Sequence, residues 1–177
     1  MTSPGQIYYS FTGSPFGRLL LRADRAGLRG IDFERSGRAP RIEPHWQAAE
    51  RPFRDVARQL GEYFAGKRCQ FDLELAPEGT RWELEVWRKL GEIPYGETLS
   101  YAELARRLGR PEAFRAVGAA NGRNPISIVI PCHRVIGSDG SLTGYGSGLE
   151  VKAALLHLER GERLVTRSSR TQASRHP

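Results

Sequence analysis

The chain has 177 residues, enough for one good core or for a small domain joined to a somewhat larger one, and two compact units are expected. Its 27 Lys and Arg against 20 Asp and Glu give a net charge of +7, which favours a polyanionic partner, although four of those seven charges come from the tail after Glu159. Cys69 and Cys132 form no CxxC pair or finger spacing, the N-terminal MTSPGQIYYS has no basic flank before an apolar run, and no apolar stretch nears the ~20 residues of a membrane helix, so a disulfide scaffold and a membrane span are excluded and a soluble cytoplasmic protein is expected.

The first third alternates short runs rich in β-formers with turn signals: residues 7–11 (IYYSF), 17–23 (GRLLLRA) and 27–33 (GLRGIDF) predict a small antiparallel sheet. A loop rich in Arg and Pro follows around residues 37–44. Over residues 48–64, Phe53, Val56, Ala57, Leu60 and Phe64 recur at helical spacing, and that helix is expected to pack on the sheet. FDLELAP at residues 71–77 reads as one more strand, and PEG at residues 77–79 as the domain boundary. The expected division is a supporting sheet-and-helix domain over 1–76, a functional domain over 77–160 and a basic, disordered tail over 161–177.

From Thr80 the texture turns helical. Leu84, Val86, Trp87 and Leu90 form a broad apolar face, and IPYG at residues 93–96 ends that helix. Ser100, with Glu103 three residues on, predicts a capping box for a helix over 101–108. GRP then breaks the chain and Pro111 opens a second helix to about Asn121. Two short helices with a tight turn have the rhythm of a helix-turn-helix; an ordinary helical hairpin fits the same pattern. The fold class is therefore α+β, a small antiparallel sheet with a helix joined to a mainly helical domain.

ISIVI at residues 126–130 reads as a buried strand that delivers Cys132 to its exit within PCHRV. A Gly- and Ser-rich loop spans 137–148, and residues 149–159 (LEVKAALLHLE) read as a strongly amphipathic helix. Cys132 is followed by His133 and Arg134, groups that can lower a thiol pKa and make a nucleophile of it; a small buried core cysteine is the bland alternative. Glu159 ends the last helix, where the dipole disfavours an acid without a partner, so it is the candidate to orient His133; a solvated terminal glutamate fits the same spacing. Arg115 lies midway along the second short helix among small residues that permit close approach to a groove, and Tyr101 on the first can donate a proton or bind phosphate; an ordinary surface arginine and a half-buried core tyrosine fit equally.

IPYGETLSYAELA, RAVGAANGRNPISIVIPCHRVIG and GYGSGLEVKAALLHLE together resemble the 6-O-alkylguanine-DNA alkyltransferase family over about residues 80–159. The resemblance implies direct repair: Cys132 attacks the alkyl carbon of an alkylated guanine flipped out of double-stranded DNA, in one irreversible turnover. It further implies that His133 takes the thiol proton through a water, Glu159 holds His133, Asn124 fixes the turn before the active site, and Tyr101 protonates the departing guanine. Arg115 would fill the gap in the base stack, with Ala116, Ala119, Asn121, Gly122 and Arg123 also facing DNA. In the base pocket the carbonyls of Cys132 and Val135 would receive the guanine amine and the amide of Gly146 would meet the 6-oxygen, with Tyr145 lining the pocket. Some members hold zinc near their N-terminus, but Cys69 and His45 are too few for a four-ligand site, so no metal is expected, nor a cofactor or obligate protein partner. Two rival readings are a damage-recognising module that transfers nothing and a cysteine hydrolase using Cys132, His133 and Glu159.

Overall fold

The computed structural model describes residues 5–34 and 40–162; the expectations for the basic loop near Arg38 and for the tail fall mostly outside these residues. Strands β1 (Tyr8–Ser14), β2 (Gly17–Asp24) and β3 (Gly27–Phe33) form the expected antiparallel meander. A fourth strand, β4 (Gln47–Ala48), pairs parallel with β1, so the sheet is mixed, in the order β3-β2-β1-β4. Because the sheet claims Ala48, the predicted helix starts later. A 3-10 turn with Pro52 (Arg51–Phe53) leads into α1 (Arg54–Phe64), which buries Val56, Leu60 and Tyr63.

The predicted strand over 71–77 is extended but makes only one isolated bridge, Leu75 with Leu28. Its backbone docks along the start of β3, the amides of Leu28 and Ala76 donating to Glu74 O and Leu28 O at 2.8 and 2.9 Å. Gly27 permits this approach: at φ +135°, a Cβ there would stand 2.5 Å from Glu74 O.

Helix α2 (Arg81–Leu90) begins with a complete capping box, Thr80 and Glu83 satisfying one another's backbone amides, and carries Arg88 and Lys89 in its last turn. It buries Val86, Trp87 and Leu90; Leu84, expected on the same face, is 39% exposed. Strand β5 (Leu99–Ser100) leads into α3 (Tyr101–Arg107), where Ser100 Oγ accepts from the Glu103 amide. The carboxylate of Glu103 turns to Arg106 and Arg107, so half of the expected box forms. After Gly109 a 3-10 turn at Pro111–Ala113 precedes α4 (Phe114–Gly122), completing the helix-turn-helix. Trp87 Nε1 donates to Ala120 O at 2.8 Å and ties α2 to the back of α4.

Helix α5 (Leu149–Glu159) matches its expected bounds but not its expected character. Lys152, Leu155, Leu156 and Glu159 are buried along one stripe with Leu158 beside it, but two of the five are charged, so the buried face is not the purely apolar one of an amphipathic helix. One buried cluster runs through the molecule, from Leu19, Leu21 and Ile31 of the sheet through Leu60 and Tyr63 of α1 to Leu90, Val117, Ile126 and Leu155. Full burial of side chains of this size contributes about 1.5–3 kcal/mol each.

Candidate active site

The segment between α4 and the site is not the predicted strand. Asn124 folds it into a compact turn: Oδ1 accepts from the Ile126 amide at 3.1 Å, while Nδ2 donates to Ile130 O at 2.8 Å. Ile128 has φ +75°, costly for a β-branched residue, and only isolated bridges remain, Ile126 with Ile31 and Ser127 with Ile130. The run is apolar because Ile126, Ile128 and Ile130 are buried in the core, a demand that a strand and a buried turn impose alike. Pro131 then leads into a 3-10 turn, Cys132–Arg134, and on into β6 (Val135–Ile136), which pairs parallel with β5.

Cys132 is 4% exposed, yet it lines a cavity of about 350 Å³ with Asn121, Gly122, Asn124, Tyr145 and Gly146. An open groove lined by Tyr101, Phe114, Gly118 and Thr143 shares Gly122, Gly144, Tyr145 and Gly146 with that cavity, so a path leads from the outer face of α4 towards the thiol. Burial pushes the Cys132 thiol up; the Asn124 amide and the Lys152 ammonium act in the opposite direction. This corrects the expectation that His133 and Arg134 lower the thiol pKa, because both side chains are engaged with Glu159.

Glu159 accepts five hydrogen bonds. Tyr63 Oη, His133 Nε2 and Arg134 Nη2 donate to Oε1 at 2.8, 2.7 and 3.0 Å, and Arg134 Nε and the Gly96 amide donate to Oε2 at 2.8 and 3.1 Å. Burial opposes ionisation of this carboxyl, but the hydrogen bonds from His133 and Arg134 and the Arg134 charge outweigh it and bring its pKa down to about 2. Burial holds His133 below the usual histidine range, so the ring is neutral. With the proton on Nε2 donated to Glu159, Nδ1 keeps a lone pair, and that buried atom has no partner among the described residues.

Tyr63 and Lys152 were not among the site residues expected from the sequence, and Arg134 was expected to act on the thiol rather than on Glu159. Lys152 is fully buried and its Nζ donates to Val135 O at 2.6 Å and Thr143 O at 2.7 Å, tying the glycine-rich loop to β6. Burial brings its pKa down to about 8. A signal existed in the chain, since positions 152, 155 or 156 and 159 share one helical face and the first and last are charged. Tyr63 carried none beyond its place on an apolar face, and it reaches Glu159 from 96 positions away.

On the outer side, Arg115, Ala116, Ala119, Gly122 and Arg123 are exposed, and Phe114, unremarked in the sequence, is 43% exposed beneath the Arg115 guanidinium. Asn121 departs from its expected place facing DNA: it is 2% exposed and turned inward, because the last turn of α4 packs on the Cys132 segment. Tyr101 is partly buried and its hydroxyl donates to Thr143 O at 3.3 Å. Val135 is fully buried, and its carbonyl, expected to receive the base, already accepts from Lys152. Tyr145 turns a buried hydroxyl, without a partner among the described residues, towards the interior. Cys69 and Cys132 are both free thiols.

Residues 81–161 match the DNA binding domain, and residues 7–77 the ribonuclease-like domain, of 6-O-methylguanine DNA methyltransferase. The methylated-DNA–protein-cysteine methyltransferase of Methanosarcina barkeri is 54% identical over 153 residues, covering 86% of this chain and 97% of the relative. The enzyme of that name from Haemophilus influenzae is 46% identical over 87% of both chains. Among solved structures, Mycobacterium tuberculosis OGT in complex with DNA superposes with a TM-score of 0.80 at 46% identity, covering 87% of this chain and 93% of that one.

Proposed function

The chain belongs to the 6-O-methylguanine DNA methyltransferase family, and from that premise we propose that Cys132 is the acceptor onto which it moves an alkyl group from the 6-oxygen of guanine. The activity is direct repair by alkyl transfer to a cysteine, and DNA is the partner. The observation that carries the choice of Cys132 is the pairing of a thiol at the inner end of a groove from α4 with a neighbouring neutral imidazole whose Nδ1 has no partner among the described residues and whose Nε2 is anchored.

The step balances without a cofactor. The thiol proton passes to His133 Nδ1 through a bridging water, the sulfur attacks the alkyl carbon, and the bond from that carbon to the 6-oxygen breaks as the thioether forms. The departing guanine takes a proton from Tyr101, whose hydroxyl burial keeps protonated. Glu159 stays ionised throughout and stabilises the imidazolium that forms on His133. Asn124 holds the turn that presents the sulfur. Arg115 enters the base stack with Ala116, Ala119, Gly122 and Arg123 against the backbone, offsetting an unstacking cost on the order of a few kcal/mol. Because a thioether has no ready leaving path, each molecule acts once. The protein works in the reducing cytoplasm, where both thiols stay free; among the described residues no helix is long and apolar enough to cross a membrane.

The test is intact mass after incubation with a duplex carrying 6-O-methylguanine. One methyl is gained per chain, and Cys132→Ala gains none. A parent protein of unchanged mass, or a lesion consumed in excess of protein, would refute the proposal.

A further inference from the structure

We propose that Phe114 is a second inserting side chain, an apolar wedge that enters the duplex beside Arg115 at the step from which the lesion is withdrawn. The inference rests on the alkyl-transfer reading above and adds to it a residue that offsets the cost of extracting the base.

Among the described residues five large apolar side chains are exposed, and Phe114 is the one aromatic ring of the five. Exposure alone would say little, since single apolar side chains are common on protein surfaces. Its position decides. Phe114 opens α4, the second helix of the helix-turn-helix, and Gly118 and Gly122 follow it at four-residue steps, so the three lie along one face. The two glycines leave that face open, and the trough is a groove of about 580 Å³ that Tyr101, Thr143 and Gly144 also line. Its inner end shares Gly122, Tyr145 and Gly146 with the cavity of Cys132, whereas Phe114 lines the groove and not the cavity. The ring therefore stands at the outer end, where a nucleotide reaching for the sulfur leaves the duplex.

The chemistry of that step suits the ring. Withdrawing a base uncovers the faces of its two stacked neighbours, and a flat or apolar group is what covers such faces. Arg115 brings a planar guanidinium, which lies 5.6 Å from the centre of the Phe114 ring. The two side chains form one stacked pair, and with 43% of its surface still open Phe114 can meet a base as well. An apolar wedge repays unstacking where bases are stacked and paired, so its contribution belongs to duplex DNA and fades when the lesion strand has no partner.

The experiment measures methyl transfer to Cys132 from 6-O-methylguanine in a duplex and in the same strand without its complement, and takes the ratio of the two rates. Phe114→Ala should lower that ratio about tenfold relative to the parent. Phe114→Leu, which keeps an apolar wedge, should restore most of it. In an Arg115→Ala background Phe114→Ala should still lower the ratio severalfold, which separates a ring that meets DNA from one that only props the guanidinium. An unchanged ratio in Phe114→Ala, whether or not both rates fall together, would overturn the assignment. So would a leucine variant no better than alanine, or a double variant with the ratio of Arg115→Ala alone. No transfer by the parent from either substrate would overturn the alkyl-transfer reading itself, and this assignment with it.

Discussion

Lys152 is the charged side chain whose placement most affects the sulfur. Its ammonium is removed from water, held by two carbonyls, and acts on Cys132 at a distance, so part of the burial cost of the thiolate is offset by a cation that the fold has already desolvated. Lys152→Met removes that charge and leaves the carbonyls of Val135 and Thr143 without their donor. The thiol should then ionise at higher pH, seen as a shift to alkaline pH in the rate at which iodoacetamide modifies Cys132. An unshifted profile would show that the charge does not reach the sulfur. In the parent, Lys152 itself loses its proton as pH rises through about 8, so the assistance fades there.

At the scale of elements, the turn between α2 and β5 and the helix α4 carry the geometry. Gly96 sits at φ +78° with its amide on Glu159, and a Cβ there would meet Glu159 O at 3.0 Å. Gly96→Ala should therefore destabilise the fold by about 1–2 kcal/mol, from the left-handed backbone alone, with any push on the end of α5 added; chemical denaturation measures it. Helix α4 divides its labour by face. Val117 and Ala120 are buried, Asn121 faces the cavity, and Arg115 with Phe114 stands outside. Arg115→Ala should slow methyl transfer from duplex DNA severalfold or more while iodoacetamide still modifies the thiol, because the guanidinium acts on the base stack and not on the sulfur. Transfer at the parent rate would remove Arg115 from that role.

Across the whole molecule, Glu159 is the junction. Tyr63 from α1, Gly96 from the turn after α2, and His133 and Arg134 from the reactive turn all converge on one carboxylate at the end of α5. Its pKa falls from the ordinary carboxyl value of 4.5 to about 2 on folding. A depressed carboxyl contributes stability above its unfolded pKa and loses it as pH falls through the folded one, so roughly 3 kcal/mol should disappear between about pH 4.5 and pH 2. Urea unfolding followed across that window checks it. Glu159→Gln, already destabilised by leaving Arg134 buried and uncompensated, should show a flatter dependence there.

Much of this was legible in the chain because it depends on neighbours in sequence. Alternation and turn residues define β1 to β3, Thr80 with Glu83 and Ser100 with Glu103 mark helix starts, the bounds of α5 follow from its flanking glycines, and PCHRV with its surroundings carries the family. Period alone could not separate a buried strand from the buried turn at residues 126–130, nor show that the buried face of α5 carries the charges of Lys152 and Glu159. Only the folded chain decides that Asn121 faces inward, that Lys152 occupies the Val135 carbonyl, that Tyr63 meets Glu159, and that burial raises the Cys132 thiol. Each of these is a matter of desolvation or of a hydrogen-bond partner brought from far along the chain, and such quantities are properties of the packed interior, which no local pattern encodes.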